Sequence, residues 1–156
     1  MLSVAEIMTA EPHTLSPDDS LAQARSMMSE HHIRHIPVVS GDGLLVGVVS
    51  QRDVLAAADS SVLPDKAAHE QEERYVALSS IMTSPVQTVD EDASLRGTAM
   101  HLMKNRLGCL PVTRDEKLIG IITDSDFVGI AIHLMEQLEQ SESEADEFDG
   151  EIAEDF

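Results

Sequence analysis

Two four-residue motifs in the chain place a hydroxyl and a carboxylate at the same spacing: Ser50-Gln51-Arg52-Asp53 and Thr123-Asp124-Ser125-Asp126. Each follows an apolar run and precedes residues with helical spacing, so each sits where a strand ends and a helix begins. Two kinds of chemistry use that geometry. In a capping box the hydroxyl accepts the amide three residues on, and the acid reaches back to the first amide. In a ligand site the free amides of the helix N-terminus take phosphate or ribose oxygens, and the carboxylate accepts hydrogen bonds from both ribose hydroxyls. Asp in both copies, where a capping box commonly has Glu or Gln, favours ribose. Two strand starts add to the set, Arg34-His35-Ile36-Pro37 and Gly108-Cys109-Leu110-Pro111. Arg34 offers a forked donor suited to phosphate, His35 can add another, and each Pro fixes the backbone beside them.

Other reactive types lack the neighbours that chemistry requires. His31, His32 and His35 are close in sequence, but His31 and His32 are adjacent and point to different helix faces, and no zinc-type spacing accompanies them. They read as a helix-end cluster facing the C-terminal dipole. Cys109 reads as a small apolar residue at a strand start, and Met27, Met28, Met100 and Met103 as core filler. Ser-His-Asp, Walker and dinucleotide patterns are absent from the sequence, so no catalytic machinery and no metal site are expected.

The elements that position these motifs come twice. From Ile7 to Val39 and from Ile81 to Thr113 the chain repeats itself at an offset of 74: Met8-Thr9 over Met82-Thr83, Thr14 over Thr88, Ser20-Leu21 over Ser94-Leu95, Pro37-Val38 over Pro111-Val112. After a one-residue deletion, Gly47–Asp53 lies over Gly120–Asp126. This is an internal duplication. Each copy predicts a short strand (His13–Leu15, Gln87–Val89), then a helix capped by Ser20 or Ser94, with Leu21, Ala24 and Met28 or Leu95, Ala99 and Leu102 on its apolar face. Two apolar strands follow, His35–Val39 with Leu44–Ser50 and Cys109–Thr113 with Leu118–Thr123. They are joined through Gly41-Asp42-Gly43 and Asp115-Glu116-Lys117. A second helix runs from Gln51 to Ala58 and from Asp124 to about Leu138. The expected class is α/β (α+β), tandem β-α-β-β-α repeats packed sheet to sheet as one globule, because one copy alone buries too little surface. The division is 1–58, a charged linker 59–78 in which 66–77 can form a short helix, 79–138, and an acidic tail 139–156.

Charge bounds the partners. The 156 residues hold 29 acids against 10 Lys and Arg, a formal charge of −19, and only 3% aromatics. Such a surface repels nucleic acid and anionic lipid, and it lacks stacking platforms for single strands. Ten acids and no Lys or Arg lie between Leu134 and Phe156; taking them from the 29 leaves −9 on the first 133 residues. Like charges at low hydrophobicity predict disorder from about Gln140, with Phe148, Ile152 and Phe156 the only hint of a docking motif. The single cysteine, no basic-apolar leader and no long apolar run point to a cytoplasmic chain without a membrane span.

A duplicated β-α-β-β-α unit that opens Ile-Met-Thr and closes Gly-h-h-Ser/Thr-x-x-Asp (h apolar) resembles the CBS domain, named after cystathionine β-synthase. The pair resembles a Bateman module over about Val4 to Met135. The resemblance implies a regulatory module that senses an adenosyl ligand (AMP, ADP or ATP) and acts on a separate protein, with no enzymatic activity. It also implies two hybrid clefts. One would join Thr123, Asp126 and Ile121 to Thr9, Thr14, Arg34, His35 and Pro37. The other would join Ser50, Asp53, Arg52 and Val48 to Thr83, Thr88, Gly108, Cys109 and Pro111. Arg34 and His35 make the Asp126 cleft the expected stronger site. A homodimer through helices carrying Met27, Leu102, Ile130 and Leu134 is implied as well. The alternative is a dimerising interaction protein whose pockets have decayed.

Overall fold

The computed structural model describes residues 2–59 and 66–154. In chain order the elements are α1 (Val4–Ile7), β1 (Thr9–Ala10), α2 (Leu21–His31), β2 (His35–Val39), β3 (Leu45–Ser50), α3 (Gln51–Asp59), α4 (Lys66–Glu73), β4 (Val89–Asp90), α5 (Leu95–Asn105), β5 (Cys109–Arg114), β6 (Lys117–Thr123) and α6 (Asp124–Glu154). The caps form where the hydroxyls predict them. Ser20 accepts the Gln23 amide at 3.2 Å while the Gln23 side chain accepts the Ser20 amide at 2.8 Å, and Ser94 accepts from Gly97 at 3.1 Å. α2 and α5 end alike, on His32 and Arg106 in the left-handed conformation at φ 54°.

The two hairpins, β2–β3 and β5–β6, pair antiparallel in matching registers, His35 opposite Ser50 and Cys109 opposite Thr123. Their connections differ. Gly43 takes φ 79° in the first, whereas Asp115 and Glu116 take φ 51° and 65° in the second. A tight turn with two left-handed residues favours Asn or Asp followed by Gly, and Glu116 has a Cβ that opposes this conformation. Glu116→Gly is therefore expected to stabilise the protein by roughly 1 kcal/mol, read as a higher urea midpoint at unchanged slope. An unchanged midpoint would show that the turn carries no such strain.

The packing units are not the sequence repeats. β1 pairs with β6 through Thr9↔Ile121, so the opening strand of the first repeat edges the sheet of the second, in the order β1-β6-β5-β4. Thr83, the repeat equivalent of Thr9, bridges Val48 in the first half. The cores show the same exchange. Val4 is fully buried with Leu95, Leu102, Leu110, Val112 and Ile122, while its equivalent Leu78 is fully buried with Leu21, Ile36, Val38, Val49 and Val54. Backbone bonds repeat the symmetry, Val4 N to Ala93 O at 3.0 Å and Leu78 N to Asp19 O at 2.9 Å. A half that must borrow a core residue and an edge strand has no complete core of its own. The strand expected at His13–Leu15 reduces to a parallel bridge of Leu15 with Val38, and its counterpart is β4 at Val89–Asp90.

Three other expectations need comment. Within the linker, α4 forms and is held to α2 by the ion pair of Arg25 with the buried Glu73 at 2.9 Å; residues 60–65 lie outside the described residues. The tail expected to be disordered from Gln140 is instead the continuation of α6, one 31-residue helix to Glu154. Its Glu, Gln, Ala and Leu are strong helix formers with no Pro to stop them, and its first turns are anchored by Phe127 and Ile130 against the second core. The Phe148, Ile152 and Phe156 side chains lie outside the described residues. The apolar faces also differ from expectation. Leu102 is buried, and Met27 and Ile130 pack against the cores, so of the four residues expected at a dimer face only Leu134 is largely exposed. Met100 and Met103 of α5 join Val128, Ile132, Met135 and Leu138 of α6 in that exposure. No helix among the described residues is long and apolar enough to cross a membrane.

Candidate functional site

Both Ser/Thr-x-x-Asp motifs form reciprocal caps at their helix starts. Asp53 Oδ2 accepts the Ser50 amide at 2.9 Å and Ser50 Oγ accepts the Asp53 amide at 3.1 Å. In the second copy Asp126 Oδ2 accepts the Thr123 amide at 2.8 Å and Thr123 Oγ1 accepts the Asp126 amide at 3.4 Å. Capping engages one oxygen of each carboxylate. The other has no hydrogen-bond partner among the described residues and can accept from a ligand hydroxyl.

A cavity lies beside the first of these motifs. A cavity of about 940 Å³ is lined by Val48, Ser50, Arg52 and Asp53 of the first repeat and by Thr83, Gly108, Cys109 and Pro111 beyond it. All of the residues expected in the Asp53 cleft are thus brought together except Thr88, whose neighbour Gln87 takes the wall position. Arg34 and His35, expected beside Asp126, line this same cavity. Thr9, Thr14, Pro37, Ile121, Thr123 and Asp126 do not line it. The Asp53 motif, and not the Asp126 motif, lies on the wall of this cavity.

The reason is side-chain volume. Arg34 and Gly108 are repeat equivalents. Arg34 sends its Nη2 across to Ser125 Oγ at 3.1 Å and occupies the space beside the Asp126 motif. Gly108 has nothing to send, so the space beside the Asp53 motif stays open. Part of it is taken by His35, whose Nε2 would lie 2.7 Å from a Cβ at position 108. The small residues Gly108 and Cys109, read from sequence as poor ligand partners, are what make room for a ligand. Sequence reasoning also missed Asp124, Phe127 and Arg106 on the wall. The left-handed cap that ends α5 two residues before Gly108 is the signal that could have found Arg106.

Cations and carboxylates share the wall of this cavity. Three of the ten Lys and Arg residues, Arg34, Arg52 and Arg106, line this one cavity, with Asp53 and Asp124 nearby. Burial pushes the Cys109 thiol up to about 12, helped by the charge of Asp124, so it is a neutral wall atom and a poor nucleophile. Burial likewise holds the His35 imidazole below its ordinary value, opposed by Asp124 and Asp53 and aided by Arg34 and Arg52. The folded state then binds this proton less well than the unfolded chain. Its stabilising contribution is complete above the ordinary value of 6.5 and is lost as pH falls below it. The melting temperature of His35→Gln should accordingly fall less than that of the unaltered protein between neutral pH and pH values below 6.5. Parallel curves would show that the ring titrates freely.

The histidines separate in space. His31 stacks on His13 with ring centroids 3.8 Å apart, His32 is the cap of α2, and His35 faces the cavity. No group of three or more His, Cys, Asp or Glu side chains among the described residues is placed to hold a metal ion.

Comparison with known proteins adds the lineage. The CBS domain description matches residues 4–60 and again 78–133. A Vibrio cholerae protein assigned to acetoin utilization (AcuB) superposes with a TM-score of 0.75 at 41% identity, over 90% of this chain and 97% of that one. CBSX2, solved in complex with AMP, gives 0.71 at 27% identity over 86% of this chain and 99% of that one. The domain pair of protein MJ0100, solved with 5′-methylthioadenosine and S-adenosyl-L-methionine, gives 0.71 at 26% over 83% and 95%. The chain also spans 42% of a 33.4 kDa protein of Thermofilum pendens at 40% identity, and 23% of a homoserine O-acetyltransferase of Methanocorpusculum labreanum at 32%. Those matches cover 80% and 78% of this chain.

Proposed function

Because the chain belongs to the CBS domain family, we propose that it is a regulatory module that binds an adenosyl ligand (AMP, ADP or ATP) in the Asp53 cavity and signals to a separate protein. The observation that carries this reading is the cavity itself. It gathers a hydroxyl-carboxylate pair at a helix N-terminus, three guanidiniums and the apolar walls Val48, Leu102 and Phe127 in one place. The chemistry divides naturally. Asp53, with one oxygen free, takes the ribose hydroxyls. The α3 N-terminus with Arg34 and Arg52 takes phosphate. The apolar walls take the adenine. CBSX2 with AMP and the MJ0100 pair with adenosyl compounds support the ligand class. Titration calorimetry with AMP, ADP, ATP, S-adenosylmethionine and NAD is expected to give saturable heats with the adenine nucleotides. Flat isotherms with the whole panel would sink the proposal.

The module works as a homodimer through the exposed apolar faces of α5 and α6. Met100, Met103, Ile132 and Met135 leave more apolar surface in water than a small monomer needs. This same surface favours the second reading, a dimerising interaction protein with no working pocket. Light scattering together with the calorimetry separates the two, since a dimer without nucleotide heats is what the second reading requires.

A further inference from the structure

Arg106 was absent from every motif in the sequence, yet it stands on the wall of the cavity at the end of α5. Its backbone is fixed: φ is 54° and its amide bonds to Leu102 O and Met103 O. Its guanidinium is exposed and has no hydrogen-bond or ion-pair partner among the described residues. The other two guanidiniums, Arg34 and Arg52, come from the first repeat, so the cavity is lined by cations from both sides of the repeat seam. A terminal phosphate presents three peripheral oxygens. Arg52 with its whole fork, and Arg34 with the nitrogens left over from its bond to Ser125, offer donors enough for those three. A third from the opposite repeat is in excess for a monophosphate and is matched by a chain of phosphates. The protein as a whole, at −19, opposes anions in general, so anion affinity must come from this local group.

We infer that Arg106 is the specificity-determining residue of the cavity, its guanidinium making the site select adenosine di- and triphosphate over the monophosphate. The inference rests on the reading of the cavity as an adenosyl-ligand site. A merely structural role is the competing account, since a cation at a helix C-terminus complements the dipole. That role would alter stability and would leave the ratio of affinities among nucleotides unmoved.

The test is calorimetry of the full chain with adenosine, AMP, ADP and ATP at one ionic strength, on the unaltered protein, Arg106→Asn and Arg106→Lys. Asn tolerates the left-handed backbone at this position, so the fold is kept while the charge is removed. The unaltered protein is expected to bind ADP or ATP at least about tenfold more tightly than AMP, which is about 1.4 kcal/mol. In Arg106→Asn that preference should fall below about threefold, because ADP and ATP lose more affinity than AMP, with Arg106→Lys in between. Equal affinities for AMP and ATP in the unaltered protein overturn the inference while leaving the adenosyl reading intact. Equal weakening of AMP, ADP and ATP in Arg106→Asn overturns it as well. Absence of heat with all four ligands removes the adenosyl reading and this inference together.

Discussion

Asp53→Ala is expected to weaken AMP binding about ten- to a hundredfold, while Asp126→Ala, the same substitution at the equivalent position, changes it by less than about threefold. The two acids are matched in local chemistry. Each caps its own helix through one oxygen, Asp53 on the Ser50 amide and Asp126 on the Thr123 amide. Loss of the cap costs both variants stability by a similar amount, typically ~1 kcal/mol, which melting scans without ligand measure directly. What differs is the space in front of them. Asp53 lines the open cavity, and the region beside Asp126 is crossed by Arg34 on its way to Ser125. Removing Asp53 deletes a charge-assisted acceptor for the ribose hydroxyls, worth roughly 1.5–3 kcal/mol. The reverse result, with Asp126→Ala damaging to binding and Asp53→Ala nearly silent, would place the ligand in the other half.

Gly120→Ala should destabilise the fold by about 2 kcal/mol, and Gly47→Ala by clearly less. In an ordinary strand either change would help, because Ala costs less backbone entropy than Gly by roughly 0.5–1 kcal/mol. Here the exchanged opening segments cross both glycines. The atoms nearest a Cβ on Gly47 belong to the Met82 side chain, Sδ at 2.5 Å and Cγ at 2.9 Å, and the end of a methionine can swing away. A Cβ on Gly120 meets Met8 Cγ at 3.0 Å and also the backbone carbonyl oxygen of Thr9 at 3.0 Å. That oxygen belongs to the β1–β6 pairing and yields only if β1 moves away from the second sheet. Urea unfolding of the two variants, with Gly120→Ala/Met8→Ala as a third, measures the difference. Full recovery in the double variant would assign the cost to the methionine and absolve the strand.

Features that depend on neighbours a few residues apart are legible in the residue pattern alone. The duplication, the hairpins, the Ser20 and Ser94 caps and both Ser/Thr-x-x-Asp boxes follow from periodicity and from hydrogen bonds spanning three residues. These are short-range effects, written to the same pattern in both copies, and so are legible in either. Tertiary structure decided what the copies do to each other. Val4 and Leu78 read alike in their own repeats, and only long-range packing sends each into the core of the other. The charge pattern of residues 140–154 spoke for disorder, but helix propensity continued from an anchored first turn carried α6 through it. The choice of cavity was decided the same way. Local chemistry favours Arg34 and His35 as ligand partners over Gly108 and Cys109, yet a site needs volume before it needs donors. Arg34 bonds across to Ser125, while Gly108 puts no side chain into the cavity that Arg34, Arg52 and Arg106 line.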